Sequence, residues 1–298
     1  MTASSDIFVG LDAGGTKTAV VAQAGAAAHR FVGPGAHALR DGADGAAETL
    51  AALVAQAREA LGGAAIGGIG VGLAGAGRAP EQAAVADALR GRLGDVRVAV
   101  THDADVAFEA VWGAASGAVL LVGTGSLVYA RTTEGTALRA GGWGLALGDD
   151  GSGSALGRHA LRAALAAHDG GPPTALVELA AEDGLATPTD LIAAAHAGPL
   201  AAFAPLLLRA AEADDWTATT ILARETNALA QQAGWLATRA AESVTPRLAT
   251  AGGLTAEPVY RAALDAALAR HLPGWTLRTS DHAAADGALA LAKRLAGA

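Results

Sequence analysis

Seven residues near the start of the chain combine glycines with hydroxyl, carboxylate and ammonium groups. They run Asp12-Ala13-Gly14-Gly15-Thr16-Lys17-Thr18. Glycine lets the backbone turn tightly and approach a ligand, while backbone N–H groups, threonine hydroxyls and a lysine ammonium are donors for phosphate. Lys17 comes one residue too late for a Walker A loop, and a strand-like run follows instead of a helix. The segment therefore predicts a phosphate-binding turn, with an ordinary glycine hairpin as the alternative.

A second turn of the same chemistry follows an apolar run in the middle of the chain. Gly123-Thr124-Gly125-Ser126 places two glycines beside two hydroxyls. By itself this segment is equally well explained as a plain hairpin turn. Two such turns, each at the end of an apolar strand, predict donors for a nucleotide triphosphate. Gly252-Gly253, between the Arg247–Ala251 strand and a helix, resembles a further loop on the nucleotide side.

Asp103 lies just beyond the strand-like run Val96–Val100. Ligands of α/β sheets bind beyond the carboxyl ends of strands, so a carboxylate there can act as a general base. Asp103 is an equally good N-cap for the helix that follows, as are Thr101 and Asp105. The side chains of His102 and Asp103 are expected to diverge because they are adjacent in sequence, and no histidine–aspartate pair is predicted.

Glycines surround an aromatic ring and two carboxylates in the segment before the second half of the chain. Gly141-Gly142-Trp143-Gly144 is followed by Gly148-Asp149-Asp150-Gly151-Ser152. Carboxylates that bind hydroxyls beside an indole face suit a sugar, and adjacent aspartates also suit a cation. The alternative is a helix start, with one acidic or hydroxyl residue as the cap and Trp143 in the core.

Short apolar strands alternate with helical periodicity in the first half, and helices dominate the second half. Hairpins are predicted over 7–22 and 118–131, and further strands over 66–73, 96–100, 247–251 and 275–279. Helices are predicted over 46–61, 80–93, 104–112, 153–168, 174–183, 188–197, 200–212, 216–243, 258–271 and 283–296. The two hairpins carry similar turns, which predicts two related sheets in an α/β chain, with a domain boundary near 112–117.

Composition excludes several classes of protein. The 298 residues are 52% hydrophobic and 17% charged, which excludes a disordered chain. The chain has no cysteine, so disulfides, catalytic thiols and cysteine-bound zinc or iron–sulfur clusters are excluded. A net charge of −8 without a basic run argues against nucleic acid and anionic membranes as partners.

Two further features bear on localisation. The stretch between Glu109 and Arg131 carries no charge, but its glycines favour two buried strands over a membrane helix. The N-terminal residues lack a basic region followed by an apolar one, so no secretion signal is predicted. A cytoplasmic protein without a membrane partner is therefore expected.

Six segments in a fixed order resemble the BadF/BadG/BcrA/BcrD ATPase family, and within it the N-acetylglucosamine and glucosamine kinases. The segments are DAGGTKT (Asp12–Thr18), GLAGAG (Gly72–Gly77), THDA (Thr101–Ala104), LVGTGS (Leu121–Ser126), GGWGLALGDDGS (Gly141–Ser152) and ATAGGLT (Ala249–Thr255). The resemblance implies an α/β fold of the actin/hexokinase/Hsp70 type. The implied fold has two RNase H-like domains, with ATP and Mg²⁺ in the cleft between them. The domains would be 1–114 and 115–298, with the final helix, about 283–298, packing back on the first.

The resemblance also implies a role for individual residues. Asp12 would organise Mg²⁺, and Asp103 would be the catalytic base. The ATP phosphates would contact Gly14, Gly15, Thr16, Lys17, Thr18, Gly123, Thr124, Gly125 and Ser126. Adenosine would lie against Gly252 and Gly253. The sugar would contact His37, Gly75, Asp103, Gly142, Trp143 and Asp149.

Three positions depart from the family pattern. His37 stands where the kinases usually carry an asparagine that contacts sugar, Ala13 replaces a common glycine, and the usual Asp-Glu-Gly-Ser is Asp149-Asp150-Gly151-Ser152. The family's other branch needs cysteines for an iron–sulfur cluster, and this chain has none. The implied function is an ATP-dependent kinase for the 6-hydroxyl of an amino sugar, active as a homodimer. The alternative is an ATPase or nucleotide-dependent sensor that acts on a protein partner.

Overall fold

The computed structural model describes residues 6–297, which fold into two compact units. The first unit takes the chain up to Ala115 together with the segment from Asp281 onward, and the second takes Ser116–Ser280. Each unit has its own hydrophobic core. Residues 1–5 and 298, which are part of the predicted ranges 1–114 and 115–298, lie outside the described residues, as does most of the N-terminal segment examined for a signal.

The first unit contains a mixed sheet of five strands in the order β3-β2-β1-β4-β5. Its elements in chain order are β1 (Ile7–Ala13), β2 (Lys17–Ala24), β3 (Ala27–Pro34), α1 (Ala38–Ala60), β4 (Ile66–Leu73), α2 (Ala79–Leu93), β5 (Val98–His102) and α3 (Asp103–Trp112). One helix, α1, connects the antiparallel part of the sheet to its parallel part.

The second unit contains a sheet in the order β10-β9-β6-β7-β8 and a larger set of helices. Its elements are β6 (Gly117–Val122), β7 (Ser126–Arg131), β8 (Ala137–Gly141), α4 (Gly153–His168), α5 (Leu176–Glu182), α6 (Pro188–Ala197), α7 (Ala204–Glu212), α8 (Trp216–Ala240), β9 (Arg247–Ala251), α9 (Pro258–His271) and β10 (Thr276–Thr279). The last helix, α10 (Ala284–Ala296), returns to the first unit.

Both sheets have the same connectivity, which confirms the prediction of two related sheets. In each, three strands form an antiparallel meander, and two later strands run parallel to the first. The predicted turns join the first two strands of each meander. Because parallel strands end at the same edge of a sheet, the turns and the residues after β4, β5 and β9 gather at the carboxyl edges.

The two faces of β1 have different partners. Ile7, Val9 and Leu11 are fully buried in the core beneath α1 and α2. Gly10, on the other face, lies against α10, and a Cβ there would be 2.3 Å from the Leu289 nitrogen. The glycines of β1 and β4 therefore let α10 approach the backbone of the sheet closely.

The strands β3 and β8, the outer strands of the two meanders, were not predicted from the sequence. In β3 at least every second residue is exposed, and in β8 Ala137 and Arg139 are exposed. Neither strand therefore has the apolar run that marks the inner strands. The structure also begins α1 at Ala38 instead of 46, with a break at Gly42, whose φ is 68°. Strand β5 lies two residues later than the predicted range 96–100.

The uncharged stretch between Glu109 and Arg131 forms the end of α3 and the strands β6 and β7. Among the described residues, none of the helices is both long enough and apolar enough to cross a bilayer. The stretch is uncharged because β6 and β7 are buried almost throughout.

Candidate active site

The turn between β1 and β2 is fixed by hydrogen bonds to its backbone. The Gly14 N–H donates to the Lys17 carbonyl over 3.0 Å. The Arg40 guanidinium, near the start of α1, donates to the Gly15 carbonyl over 2.5 Å. A Cβ at Gly35 would lie 2.7 Å from the Gly14 carbonyl oxygen, so the segment after β3 packs directly against the turn. The turn is therefore held in place by the start of α1 and by Gly35.

The three residues after these glycines have different surroundings. Thr16 and Lys17 are exposed and are available to a ligand. Thr18 is fully buried, and its hydroxyl donates to the Pro34 carbonyl over 2.7 Å. The geometry gives the Thr18 side chain a structural role between β2 and β3 in place of the phosphate contact predicted for it.

Asp12 is the second-last residue of β1 and lies between Ala19 of β2 and Gly72 of β4. The pKa of its carboxyl is raised to about 7, first by burial and then by the charge of Asp103, while the Lys17 ammonium opposes the rise. Two carboxylates and one ammonium therefore share the carboxyl edge of this sheet. A divalent cation would offset the repulsion between the two carboxylates.

Asp103 is the first residue of α3, and the N-cap is His102. Sequence reasoning offered Thr101, Asp103 or Asp105 as the cap. The Thr101 hydroxyl instead donates to the Asp105 carboxylate over 2.5 Å. The expectation that adjacent side chains diverge is wrong, because Nδ1 of His102 lies 2.8 Å from Oδ1 of Asp103. The sharp change from strand to helix brings the two side chains together.

His37 and Gly75, both predicted to contact sugar, lie against each other. Nδ1 of His37 accepts hydrogen bonds from the N–H groups of Leu39 and Arg40, over 3.2 and 3.3 Å, and so caps α1. The hydrogen of the neutral ring is therefore on Nε2, which makes this atom a donor. A Cβ at Gly75, where φ is +79°, would lie 2.4 Å from Cε1 of His37. Only glycine leaves room for the imidazole there.

The second turn, between β6 and β7, is tied to the start of α4. The N–H groups of Gly153 and Ser154 donate to the carbonyls of Gly123 and Thr124, over 2.8 and 3.1 Å. The Ser126 hydroxyl is buried and donates to a carbonyl in the segment before α4 over 2.7 Å. That bond gives the Ser126 side chain a structural role, so the backbone of the turn and Thr124 remain as candidate phosphate contacts.

Asp149, in the segment before α4, lies against this second turn in a strained conformation. Its φ of 60° is uncommon for a residue with a side chain. Its carboxylate accepts the Gly144 N–H over 3.2 Å, and a Cβ at Gly125 would lie 2.9 Å from its Oδ2. Burial raises the pKa of Asp149, while hydrogen bonds from the backbone of Gly144 and Ser126 oppose the rise. The predicted sugar ligand thus also braces the predicted phosphate turn.

Three side chains of α8 and α9 hold the segment that contains Asp149. The Gln232 amide donates to the Asp150 carboxylate over 2.6 Å. Gly151 donates its N–H to Glu225 over 3.2 Å and accepts the Tyr260 hydroxyl over 2.8 Å. We call Glu225, Gln232 and Tyr260 the α8–α9 clamp. Sequence reasoning missed it; the sole signal was that Glu225 and Gln232, seven residues apart, lie on one face of a helix.

Glu225 of the clamp is an ionised buried group. Burial acts to raise its pKa, but hydrogen bonds from His159, Gly151 and Arg224 outweigh burial and hold the pKa at about 2. Nε2 of His159 lies 3.2 Å from this carboxylate. A charged carboxylate with several hydrogen bonds therefore anchors the segment that contains Asp149.

Trp143 is not in the core, contrary to the alternative considered for its segment. Its side chain is 62% exposed, and the Arg139 guanidinium lies 4.3 Å from its ring centre. Gly141, Gly142 and Gly144 all have positive φ, so the chain folds back sharply around the indole. The ring is therefore presented to solvent or ligand by a sharp turn.

Gly252 and Gly253 follow β9 and open a short 3-10 helix, Gly253–Ala256. The φ of Gly252 is +115°, and a Cβ there would lie 2.1 Å from the Val122 carbonyl oxygen. This close approach puts the predicted adenosine loop beside the end of β6, immediately before the second turn. Within the second unit, the structure therefore brings the predicted adenosine loop next to the predicted phosphate turn.

A cavity of about 380 Å³ lies away from these residues. Its lining includes Ile66 and Val96, at or before the amino ends of β4 and β5, and side chains near the end of α1. Asp12 and Asp103 lie at the carboxyl edge of the same sheet. The cavity is therefore not part of the candidate site, although an apolar cavity is often the first place to look for one.

Known proteins resemble this chain in sequence over different lengths. An N-acetylmuramic acid/N-acetylglucosamine kinase of Clostridium acetobutylicum is 36% identical over 94 residues, which are 31% of this chain and 30% of that protein. An N-acetyl-D-glucosamine kinase of Dictyostelium discoideum is 30% identical over 247 residues, which are 76% of this chain and 77% of that protein. The first match is thus local, and the second spans most of both chains.

Structural similarity covers nearly the whole molecule. A protein of Chromobacterium violaceum, provisionally designated an N-acetylglucosamine kinase, is 25% identical, with a TM-score of 0.78 over 96% of this chain and 99% of that one. This likeness and the two equivalent sheets confirm the predicted fold class of the actin/hexokinase/Hsp70 type. The model of the BadF/BadG/BcrA/BcrD ATPase family matches residues 9–292. Because that match spans almost the entire chain, the chain belongs to the BadF/BadG/BcrA/BcrD ATPase family.

Proposed function

We propose that this chain is an ATP-dependent kinase that transfers the γ-phosphoryl group to the 6-hydroxyl of N-acetylglucosamine or a related amino sugar. The observation that carries the proposal is the grouping of Asp12, Lys17 and Asp103 at one sheet edge, beside the Gly14–Thr16 turn. Membership of an ATPase family and relatives that are N-acetylglucosamine kinases support ATP and an amino sugar as the substrates. Use of ATP also supports a cytoplasmic location.

The proposed chemistry needs one base and several phosphate donors. Asp103 accepts the proton of the sugar hydroxyl as the hydroxyl oxygen attacks the γ-phosphorus. The bond between the γ-phosphorus and the bridging oxygen breaks, and ADP leaves. Lys17, Thr16 and the backbone of the first turn are the donors in the first unit, while Thr124 and the backbone of Gly123 and Gly125 are those in the second. Positioning and charge neutralisation supply most of the acceleration in this class of reaction.

The donor set at Asp12 fits Mg²⁺. Within the described part of the chain no cluster of three or more histidine or acidic side chains is arranged for a metal. Mg²⁺ typically takes one or two carboxylates and completes its shell with water and phosphate oxygens. Asp12 would hold the ion, with Asp103 nearby, and Mg²⁺ would supply positive charge against the charge of the β- and γ-phosphates.

A sugar screen tests the proposal. ADP release is measured with glucosamine, N-acetylglucosamine, N-acetylmuramic acid and glucose, and phosphorus NMR of the product locates the new ester. We expect release that depends on an amino sugar and a 6-phosphate product. Release that is independent of every sugar would instead favour an ATPase that acts on a protein partner. Light scattering of the same preparation tests the homodimer that family analogy implies.

Replacement of the base tests the mechanism. Asp103→Asn is expected to lower kcat by about 10²–10⁴, or about 3–5 kcal/mol of transition-state stabilisation. ATP affinity should persist, since the phosphate donors are unchanged. Asp105→Asn, two residues along the same helix, is the matched control and should keep most of the turnover. Equal rates for the wild type and Asp103→Asn would remove Asp103 from the mechanism.

A further inference from the structure

His102 joins β5 to α3 and holds its imidazole beside the side chain of Asp103. It is the last residue of β5, with φ −68° and ψ 147°, and Asp103 is the first residue of α3. The side chain is 21% exposed. Its Cδ2 lies 3.9 Å from the position of a Cβ at Gly77, so the ring is also near the segment after β4. The ring is thus largely enclosed next to the proposed base.

The two side chains meet at one carboxylate oxygen. Nδ1 of His102 lies 2.8 Å from Oδ1 of Asp103, and the Ala104 N–H donates to the same oxygen over 2.8 Å. The Ala104 nitrogen is also 3.2 Å from Nδ1, but its single hydrogen is better placed for the nearer carboxylate oxygen. A ring nitrogen and a carboxylate oxygen attract at 2.8 Å when a hydrogen lies between them, since both otherwise present lone pairs. The ring hydrogen is therefore assigned to Nδ1.

We propose that His102 is a positioning residue for the base of the phosphoryl transfer, an inference that rests on the proposed function. The His102 Nδ1–H and the Ala104 N–H both occupy Oδ1 and so fix the plane of the carboxylate. The hydrogen bonds described for Asp103 all go to this oxygen. Oδ2 is then the oxygen that takes the proton of the sugar hydroxyl.

Fixing the carboxylate matters because proton transfer needs hydrogen-bond geometry. The Asp103 side chain has three staggered χ1 rotamers to choose from, and a base acts only when it lies within hydrogen-bond reach of the proton. His102 selects one rotamer before the sugar arrives. Its loss should therefore affect kcat much more than the binding of either substrate.

Paired variants test this role. His102→Ala removes the donor to Oδ1 of Asp103, while His102→Asn keeps an amide donor at the N-cap position. We expect His102→Ala to lower kcat by about 10–100-fold, as loss of an outer partner commonly does, with sugar KM and ATP affinity nearly unchanged. His102→Asn should restore most of kcat. If both variants were folded and turned over at the wild-type rate, the proposal would be wrong.

A double-mutant cycle tests whether the effect passes through Asp103. In the Asp103→Asn background, His102→Ala should change the residual rate by less than about twofold, because coupled residues are not additive. A second drop of the same size as in the wild type would show that His102 acts elsewhere and would overturn the proposal. Hydrogen exchange of α3 in each variant confirms that the helix is intact.

A spectroscopic test does not depend on turnover. Long-range ¹H–¹⁵N NMR of the 8 histidines reports which ring nitrogen carries hydrogen, and the signals lost in His102→Asn identify His102. A hydrogen on Nδ1 is expected, and a neutral ring with its hydrogen on Nε2 would overturn the assignment. Failure of every sugar to stimulate the wild type would instead overturn the proposed function and leave this spectrum unaffected.

Discussion

At the scale of single residues, Asp12, the proposed Mg²⁺ ligand, is kept at the expense of stability. It lies on the same face of β1 as Gly10, and burial together with Asp103 raises its pKa to about 7. The ordinary pKa of the group is 3.8. Since the folded value is higher, the carboxyl favours folding fully below about pH 4. That contribution is lost as the pH rises through 7, where the group must carry charge.

Asp12→Asn is expected to stabilise the first unit at high pH. Without nucleotide or Mg²⁺, the variant should gain about 2–4 kcal/mol over the wild type at pH 8 and almost nothing at pH 4. Hydrogen exchange of β1 and β4 peptides measures the free energy of opening at each pH. Asp44→Asn, which changes an exposed carboxylate, should stay within about 0.5 kcal/mol. A variant no more stable than the wild type at pH 8 would show that the pKa of Asp12 is not raised by folding.

The sequence predicted which residue types form the two turns, but it did not predict the role of each side chain in them. The glycines and hydroxyls of the two turns are visible in the sequence. The structure nevertheless occupies the hydroxyls of Thr18 and Ser126 with backbone carbonyls. The contact between His102 and Asp103 depends on the backbone angles at the junction of β5 and α3, which the sequence does not reveal.

At the scale of elements, the glycines of β4 serve packing. Gly70 faces α10, and a Cβ there would lie 2.0 Å from the Ala288 carbonyl oxygen. Gly68 faces the same helix, where a Cβ would lie 2.6 Å from the Ala292 carbonyl oxygen. The glycines of this chain, 40 of 298 residues, therefore serve both the predicted phosphate turns and this helix contact, since only glycine allows a helix backbone so close to a strand.

Gly70→Ala is expected to destabilise the first unit by about 1–3 kcal/mol, because the added methyl group meets backbone that cannot rotate away. The matched control is Gly91→Ala in α2, where the structure leaves the Cβ position open. That change should stabilise the helix by about 0.5–1 kcal/mol, since alanine is a better helix former. Chemical denaturation of each variant measures both effects, and equal stability of Gly70→Ala and the wild type would contradict the close packing.

The α8–α9 clamp illustrates positioning by elements that are distant in sequence. Glu225, Gln232 and Tyr260 contact a segment 74 to 109 residues earlier in the chain. Together they hold Asp150 and Gly151, the two residues that follow Asp149. No local sequence pattern predicts such a contact, because the contact forms only when the sheet, α8 and α9 have packed together.

At the scale of the whole molecule, the same topology is built twice with different additions. The first sheet needs a single helix between β3 and β4, whereas five helices, α4 to α8, separate β8 from β9. The end of the chain completes the unit formed by its beginning. Arg294 of α10 pairs with Glu109 over 2.5 Å, and Asp286 pairs with Arg30 over 2.5 Å.

Removal of the residues after Ser280 is expected to unfold the first unit and spare the second. Without α10, the glycine face of β1 and β4 becomes exposed to water, and the sheet loses half of its cover. Hydrogen exchange should show rapid labelling of β1 and β4, with protection retained over Ser116–Ser280. Persistent protection of β1 in the shortened chain would show that α10 is dispensable.

The sequence by itself determined the inner strands, most helices and the composition of the two turns. These depend on apolar runs, helical period and glycine, all of which are read over a few neighbouring residues. The absence of cysteine likewise excluded an iron–sulfur site without any structure. The resemblance of six ordered segments added the fold and the candidate base.

Only the tertiary structure decided which side chains act together. The outer strands β3 and β8 form because a neighbouring strand offers hydrogen bonds, and their own residues carry little apolar signal. The raised pKa of Asp12, the bond between His102 and Asp103 and the clamp on Asp149 all arise from burial and distance between groups. Such quantities come into existence when the chain packs, because the dielectric surroundings and the partners of each group are set by residues far away in sequence.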